Sequence, residues 1–344
     1  MVDESNFSEI FNFLSAGKNL CLGDPTLNFK TLRCIGKLKN KMKNYNIGLI
    51  ATLRYIYEEN KVVKRADKEF DEKALDKEFN KILSRVSEFN FDIMTVNFLE
   101  MLNESIIANE KRNNAEKGLT IFSDPKELYE ICHNNILYWQ TDCEQFCTEI
   151  VKKYPSEEWI TRAVRDYLFH KMILIYPCLK SIEDFIRCMN KVKKGEMPSK
   201  TKVGNLDLVA CLSMICTLWF SDDKEEANYF KYLLSQISKL DFTIKEWEFH
   251  DLLHLIVSMN PDLNYYSDPG ILQEVCRELI LEKQTDIETF DEIIGYGDNE
   301  WECVSEVLFG FLSHKVDWMY PYLKSGEAFA NYVESLKRAG NDGE

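Results

Sequence analysis

The chain has few helix-breaking residues and lacks the glycine-rich motifs of nucleotide-binding enzymes. Only 8 prolines and 14 glycines occur in its 344 residues, and this scarcity favours long helices. The patterns GxGxxG, GxxxxGKS/T and GxSxG are absent, as is a pair of CxxC motifs. In a chain with helical periodicity nearly throughout, their absence argues against a nucleotide-dependent enzyme. We therefore expect no cofactor.

A long apolar run and a basic N-terminal segment are also missing. The longest apolar stretch, residues 206–220, contains Asp207 and falls short of the roughly 20 residues that cross a bilayer. It predicts a buried helix. The first fourteen residues, MVDESNFSEIFNFL, include acids but no lysine or arginine, so they do not resemble a secretory or mitochondrial presequence. We expect no association with a membrane.

The charge balance is strongly acidic. The formal net charge of −15 favours a soluble protein. It also argues against nucleic-acid binding over the whole surface, because phosphate binding relies on clustered lysines and arginines. The hydrophobic content of 45% is enough for a sizeable core.

One long segment of the chain repeats another without a gap. Residues 122–189 match residues 266–333 at an offset of 144, with 25 identities in 68 positions. Shorter matches upstream pair residues 79–93 with 230–244, 46–53 with 205–212, and 32–35 with 186–189. Their offsets differ by a few residues, as expected when insertions in a repeat protein fall in loops. We interpret the chain as an internal duplication.

The periodicity of apolar residues predicts an all-α fold. Phe79, Ile82, Leu83 and Val86 illustrate the helical spacing, and no convincing strand is evident. The charged segment 61–77 is expected to be a loop.

The duplication predicts two tandem helical units, at residues 25–176 and 177–320. Partial units precede and follow them, at residues 1–24 and 321–344. Helical hairpins stacked in this way form an α-solenoid. The dimensions resemble those of HEAT-like repeats, although the sequence signatures of HEAT, tetratricopeptide and ankyrin repeats are absent.

The cysteines are predicted to be buried thiols. Eleven are scattered along the chain, an odd number. Cys132 and Cys276 occupy matched positions on apolar helical stripes, whereas other cysteines are replaced by residues such as Ile or Tyr in the matching segment. Metal ligands or disulfide partners are not usually exchanged in this way. A reducing compartment, the cytosol or nucleus, is expected.

Two histidine patterns have spacings that could form sites. His250 and His254 have the spacing of metal ligands on one helical face, but the acid of an HExxH motif and a third ligand are missing. His170 and His314 occupy matched positions, each followed by a lysine and, six residues on, by Tyr-Pro. No matched nucleophile or orienting acid accompanies them. Structural roles explain both patterns more simply, and no metal site is predicted.

A basic edge recurs at one position of the repeat. Arg33, Lys37 and Lys41 share a helical face, and Arg187, Lys191 and Lys194 lie on the equivalent face in the next unit. Nearby in the sequence are further basic residues: Lys39, Lys43, Lys193, Lys200 and Lys202, with Lys337 and Arg338 in the partial third copy. Solvated helix ends favour such residues because of the helix macrodipole. The alternative is a groove for an acidic peptide or a phosphate backbone.

These observations predict a non-enzymatic helical-repeat scaffold or adaptor. Solenoids present extended surfaces, so the expected partner is another protein, including an acidic peptide. An RNA-associated repeat protein that uses the basic edge is the alternative, although the net charge disfavours it. An enzyme with a helical cleft is a third hypothesis.

Overall fold

The chain folds into α-helices throughout the part that the structure describes. The structure is a computed structural model, and it describes residues 46–64, 72–113, 118–196, 204–219, 224–264, 267–294 and 302–341. No strand occurs among these residues, so the all-α prediction is confirmed. The helices are α1 (Ile47–Lys64), α2 (Glu72–Val86), α3 (Phe98–Asn113), α4 (Pro125–Asn134), α5 (Cys143–Lys153), α6 (Glu158–Ile175), α7 (Ile182–Lys193), α8 (Leu206–Trp219), α9 (Lys224–Ile237), α10 (Phe249–Met259), α11 (Pro269–Gln284), α12 (Ile287–Ile294), α13 (Glu302–Met319) and α14 (Gly326–Asn341).

The described residues belong to two compact units. The larger unit comprises residues 46–241 and 290–311, and the smaller comprises residues 242–289 and 312–341. The boundaries of these two units are set by which residues pack together. The boundaries predicted from the sequence, at residues 25–176 and 177–320, are set by the repeat and are different. The tandem units and the solenoid therefore remain predictions.

In the larger unit, α8 is the central apolar element. It packs against both α6 and α1. Leu208, Val209, Leu212 and Ile215 are each at most 4% exposed, which confirms the prediction of a buried helix at this apolar run. A second group in the same unit is formed by α4, which packs against α3 and α7.

The prediction of a loop was wrong at both ends of the segment 61–77, because residues 61–64 belong to α1 and residues 72–77 to α2. Residues 65–71 lie outside the described residues. Lys61 of α1 is only 6% exposed. Its ammonium lies 2.8 Å from a carboxylate oxygen of Glu72 and 3.0 Å from one of Asp76, both on α2. A buried charge is tolerated when it is paired in this way. A run of charged residues in a sequence does not show which of them will form ion pairs between two helices.

Aspartates begin α4 and α11 in the same manner. The Asp124 carboxylate accepts a hydrogen bond from the amide of Lys126 at 3.0 Å, and Pro125 is the first residue of α4. The Asp268 carboxylate accepts from Gly270 at 2.8 Å ahead of α11. Side chains at this position satisfy amides that have no partner within the helix, and proline fits the first turn because its missing amide would be unpaired there.

The same three-helix packing occurs once within each unit. In the larger unit α4 packs against α3 and α7, and in the smaller unit α11 packs against α10 and α14. Phe98 and Phe185 hold their ring centroids 5.6 Å apart in the first group. The matching rings of Phe249 and Phe329 are also 5.6 Å apart in the second. Both copies therefore bury aromatic side chains at equivalent helix contacts.

Tyrosines that follow α6 and α13 form hydrogen bonds with the backbone of extended segments. The Tyr176 hydroxyl donates to the carbonyl of Met94 at 2.6 Å and accepts from the amide of Val96 at 3.1 Å. Tyr320 makes the same two bonds to the segment 245–247, at 2.6 and 2.7 Å. Each tyrosine precedes a proline, which restricts it to an extended conformation and stops the helix before it. Each tyrosine thus follows the end of a helix, and its hydroxyl group holds an extended segment in place.

Candidate functional site

Three of the predicted basic-edge residues lie on one exposed face of α7. Arg187, Lys191 and Lys194 are exposed, and their spacing of four and then three residues places them on one side of the helix. Arg187 also pairs with Asp184 at 3.1 Å, while its side chain stays 70% exposed. No acidic residue occurs between Arg187 and Gly195. The C-terminal half of α7 therefore presents a cationic surface.

The position of these cations agrees with simple helix electrostatics. Lys191 and Lys193 lie in the last turn of α7, where the negative end of the helix macrodipole attracts positive charge. The exposed pair of Arg187 with Asp184 contributes little to folding stability. These charges are thus available for binding without being required for the fold.

The other half of the predicted edge cannot be compared with this surface. Arg33, Lys37 and Lys41 lie outside the described residues, and so do the side chains of Lys337 and Arg338. The structure therefore places only the α7 set on a defined surface.

An exposed aromatic residue beside these cations was not predicted. Phe122 is 74% exposed, and the ammonium of Lys193 lies 5.8 Å from the centroid of its ring. A turn holds the phenylalanine in place: the amide of Ser123 donates to the carbonyl of Thr120 at 2.9 Å, and the amide of Thr120 donates to the Ser123 hydroxyl at 3.0 Å. The only sequence signal is the position of Phe122 just before the helix start at Ser-Asp-Pro.

The antiparallel packing of α4 and α7 brings this turn to the basic end of α7. Phe122 precedes α4 and lies at Lys193, near the end of α7. Farther along, Tyr129 of α4 contacts Phe185 near the start of α7, with ring centroids 5.7 Å apart. We call the surface formed by Phe122, Arg187, Lys191, Lys193 and Lys194 the α7 patch.

The matched histidines have different surroundings in the two copies. Burial lowers the pKa of His170 to about 4. His314 has Asp317 on its own helix, with 4.0 Å between the imidazole Nδ1 and a carboxylate oxygen, and Arg277 lies 3.3 Å from Asp317. The residue that matches Asp317 in the first copy is Ile173. A catalytic arrangement common to both histidines is therefore not supported.

The structure describes the side chain of only one of the two histidines of α10, so the expectation of no metal site there stays a prediction. His254 is exposed, and the side chain of His250 lies outside the described part of the structure. Among the side chains that are described, no group of three or more His, Cys, Asp or Glu is placed to hold a metal ion.

The predicted burial of the matched cysteines is confirmed. Cys132 and Cys276 are each 0% exposed and unbridged, and burial raises the pKa of Cys132 to about 12. Cys188 is unbridged but only half-buried, whereas Cys34 lies outside the described residues. Cys143 and Cys147, one turn apart on α5, have sulfur atoms 4.0 Å apart and are also free thiols.

Among the described helices, none has both the length and the apolar character needed to cross a lipid bilayer. Comparisons of the chain with protein-family models, with curated proteins and with solved structures found no match.

Proposed function

We propose that the protein is a non-enzymatic helical-repeat scaffold or adaptor that binds another protein through an extended surface. The observation that carries this proposal is the α7 patch, where the exposed ring of Phe122 contacts Lys193 on a helix that also exposes Arg187, Lys191 and Lys194. Aromatic and arginine side chains supply much of the energy at protein interfaces, while charge sets orientation and association rate.

A tandem arrangement of helical units is part of the proposal. Five elements of the first copy begin 144 residues before their counterparts: α4, α5, α6, the 3₁₀ turn at Pro177–Leu179, and α7. Each counterpart begins with the residue that the sequence alignment assigns to it. Helical repeat units that stack into a solenoid present extended surfaces for partners.

The ion pairs between helices support a scaffold, because they join packed elements. Asp207, which is partly exposed, accepts a hydrogen bond from the buried Tyr167 hydroxyl at 2.7 Å and lies 2.9 Å from the ammonium of Lys171. These contacts join α8 to α6. The buried Lys61 and its more exposed carboxylate partners join α1 to α2 in the same way.

A reducing compartment, the cytosol or nucleus, is proposed for this protein. The seven cysteines described as free thiols include the buried Cys132, Cys211 and Cys276. Disulfides are rare in cytosolic and nuclear proteins. The proposal on location thus rests on the state of these cysteines.

RNA binding remains the second candidate. It is favoured by four cations within eight residues, Arg187 to Lys194, at the C-terminal end of α7.

The test uses tagged protein in extract from its source organism, with and without nuclease. A protein partner should persist after nuclease treatment, whereas an RNA partner should be lost. Charge reversal in Lys37→Glu/Lys191→Glu should weaken capture, and the effect should shrink as salt rises, because charge attraction is screened over about 8–10 Å near physiological ionic strength.

The matched control is Lys73→Glu/Lys81→Glu, which makes the same charge change at exposed positions of α2. We expect both double variants to keep the wild-type melting temperature. Lys73, Lys81 and Lys191 are exposed, and solvated surface charges contribute little to folding. Equal capture by wild type and by Lys37→Glu/Lys191→Glu would contradict a role for the basic edge.

A further inference from the structure

We propose that the α7 patch is a docking site for a linear peptide segment that combines acidic residues with one bulky apolar side chain. This inference rests on the proposed function and makes it specific, because it names the class of partner and adds Phe122, Ile186 and Lys193 to the predicted site. Its elements are an apolar anchor, the lysine that contacts this anchor together with the exposed cations of α7, and a turn that holds the anchor in place.

The apolar anchor is Phe122. A phenylalanine that is 74% exposed leaves most of its ring in water, and contact with an apolar group would remove this unfavourable hydration. Its backbone is already ordered by the hydrogen bonds between Thr120 and Ser123, so little conformational entropy remains to be lost on binding. Ile186, 38% exposed, lies two helical turns before Lys193 on the same side of α7 and extends the apolar surface.

The cations of the α7 patch indicate that the partner carries negative charge. Lys193 lies over the Phe122 ring, and Arg187, Lys191 and Lys194 occupy the adjoining face. Asp184 engages Arg187 at the start of this surface, and Asp124 lies near its other end, where its carboxylate caps α4. The remaining three lysines are charge-complementary to carboxylates that flank an apolar side chain.

The turn that orders Phe122 recurs in the second copy. The amide of Asn264 donates to the Ser267 hydroxyl at 3.0 Å, and the amide of Ser267 donates to the carbonyl of Asn264 at 3.0 Å. At the offset of 144, Tyr266 matches Phe122 and Lys337 matches Lys193 in the sequence.

A peptide suits this surface better than a nucleic-acid strand. Single-stranded nucleic acid is bound along a continuous basic groove with several aromatic residues on which successive bases stack. The α7 patch offers one exposed aromatic ring and a short cationic face in a chain with a net charge of −15. The overall charge repels a long polyanion, whereas a peptide with a few carboxylates meets only the local cations.

The experiment is selection from a phage-displayed library of random 12-residue peptides on the immobilised full-length protein. Selected peptides are then measured by fluorescence anisotropy against wild type, Phe122→Ser, Lys191→Glu/Lys194→Glu and the control Phe309→Ser. Phe309 is also an exposed phenylalanine, at 53%, but lies on α13. We expect peptides with two or more acids beside Phe, Trp or Leu, about tenfold weaker binding to Phe122→Ser, and unchanged binding to Phe309→Ser.

The outcomes separate this inference from the proposed function. Peptides that bind Phe122→Ser and the lysine double variant as tightly as wild type would overturn the α7 patch as the docking site, while leaving a protein-binding role elsewhere. Binding of a labelled 20-nucleotide poly-U RNA without any peptide enrichment would overturn both. A concentration-dependent dimer that Phe122→Ser abolishes, measured by analytical ultracentrifugation, would assign the patch to a second copy and contradict the peptide.

Discussion

Asn46 and Asn205 occupy equivalent left-handed positions at the starts of two helices, α1 and α8, with φ angles of 60° and 53°. The Asn46 side-chain amide donates to the carbonyls of Val86 and Phe89, at 2.9 and 2.7 Å. The Asn205 amide donates to the matching carbonyls at the end of α9, at 2.8 and 2.6 Å. Each asparagine therefore joins the start of one helix to two backbone carbonyls at the end of the next.

Replacement of either asparagine by alanine should destabilise the larger unit by about 2–3 kcal/mol. The change removes two hydrogen bonds to backbone carbonyls, and alanine is strained at positive φ. Glycine tolerates that conformation, so Asn205→Gly should cost about 1 kcal/mol less than Asn205→Ala. Urea unfolding midpoints provide the measurement, with the exposed Asn103→Ala as the control. Equal midpoints for Asn205→Ala and Asn103→Ala would refute the structural role.

The tyrosines that fasten the extended segments give a second prediction. Tyr176→Phe and Tyr320→Phe should each lower the free energy of unfolding by about 1–3 kcal/mol. Each change leaves a backbone carbonyl and an amide without their hydrogen-bond partner. Tyr232→Phe, at a residue that is 50% exposed, is the matched control and should have little effect. The idea fails if all three variants melt at the same temperature.

Burial of His170 predicts that stability falls as the solution becomes acidic. Its pKa lies near 4 in the folded protein, below the ordinary 6.5. Between these values the unfolded chain binds more protons, so this contribution is complete above pH 6.5 and is lost as the pH falls toward 4. We expect a loss of about 2 kcal/mol, since a tenfold change in proton affinity corresponds to about 1.4 kcal/mol. His133, whose pKa burial also lowers, contributes in the same direction.

The measurement is the free energy of urea unfolding at pH 7 and pH 4.5. His170→Gln should reduce the difference between these two values, because the variant has no imidazole to protonate there. The exposed His254→Gln should keep the wild-type difference. A His170→Gln protein with an undiminished pH dependence would show that other groups cause it.

The sequence predicts the helices better than it predicts the surface. The apolar stripe of α2 is buried as its spacing requires, with Phe79 at 2% and Ile82 at 0% exposure. The alignment of the two repeats pairs Asn46 with Asn205. It does not identify their carbonyl partners, because these depend on which helix ends lie next to each other in the fold. The burial of Lys61 depends on its partners on the neighbouring helix α2, and the position of Phe122 depends on the turn from Thr120 to Ser123. The periodicity of apolar residues describes neither.

The final prediction concerns the reactivity of Cys188, which lies on α7. Hydrogen bonding from the Cys178 thiol lowers the pKa of Cys188, partial burial opposes this effect, and the charge of Lys191 lowers the pKa further. Because the thiolate is the reactive form, iodoacetamide at neutral pH should modify Cys188 well before the fully buried Cys132 and Cys276.

Reversal of the neighbouring charge tests this explanation directly. Lys191→Glu should slow the alkylation of Cys188 by about threefold, because a negative charge disfavours the thiolate. Lys152→Glu makes the same change at an exposed position of α5 and should leave the rate unaltered. Rates are followed by mass spectrometry of the peptides that contain each cysteine. If Lys191→Glu and wild type react equally fast, Lys191 does not act on the thiol; if Cys132 reacts as fast as Cys188, burial does not protect it.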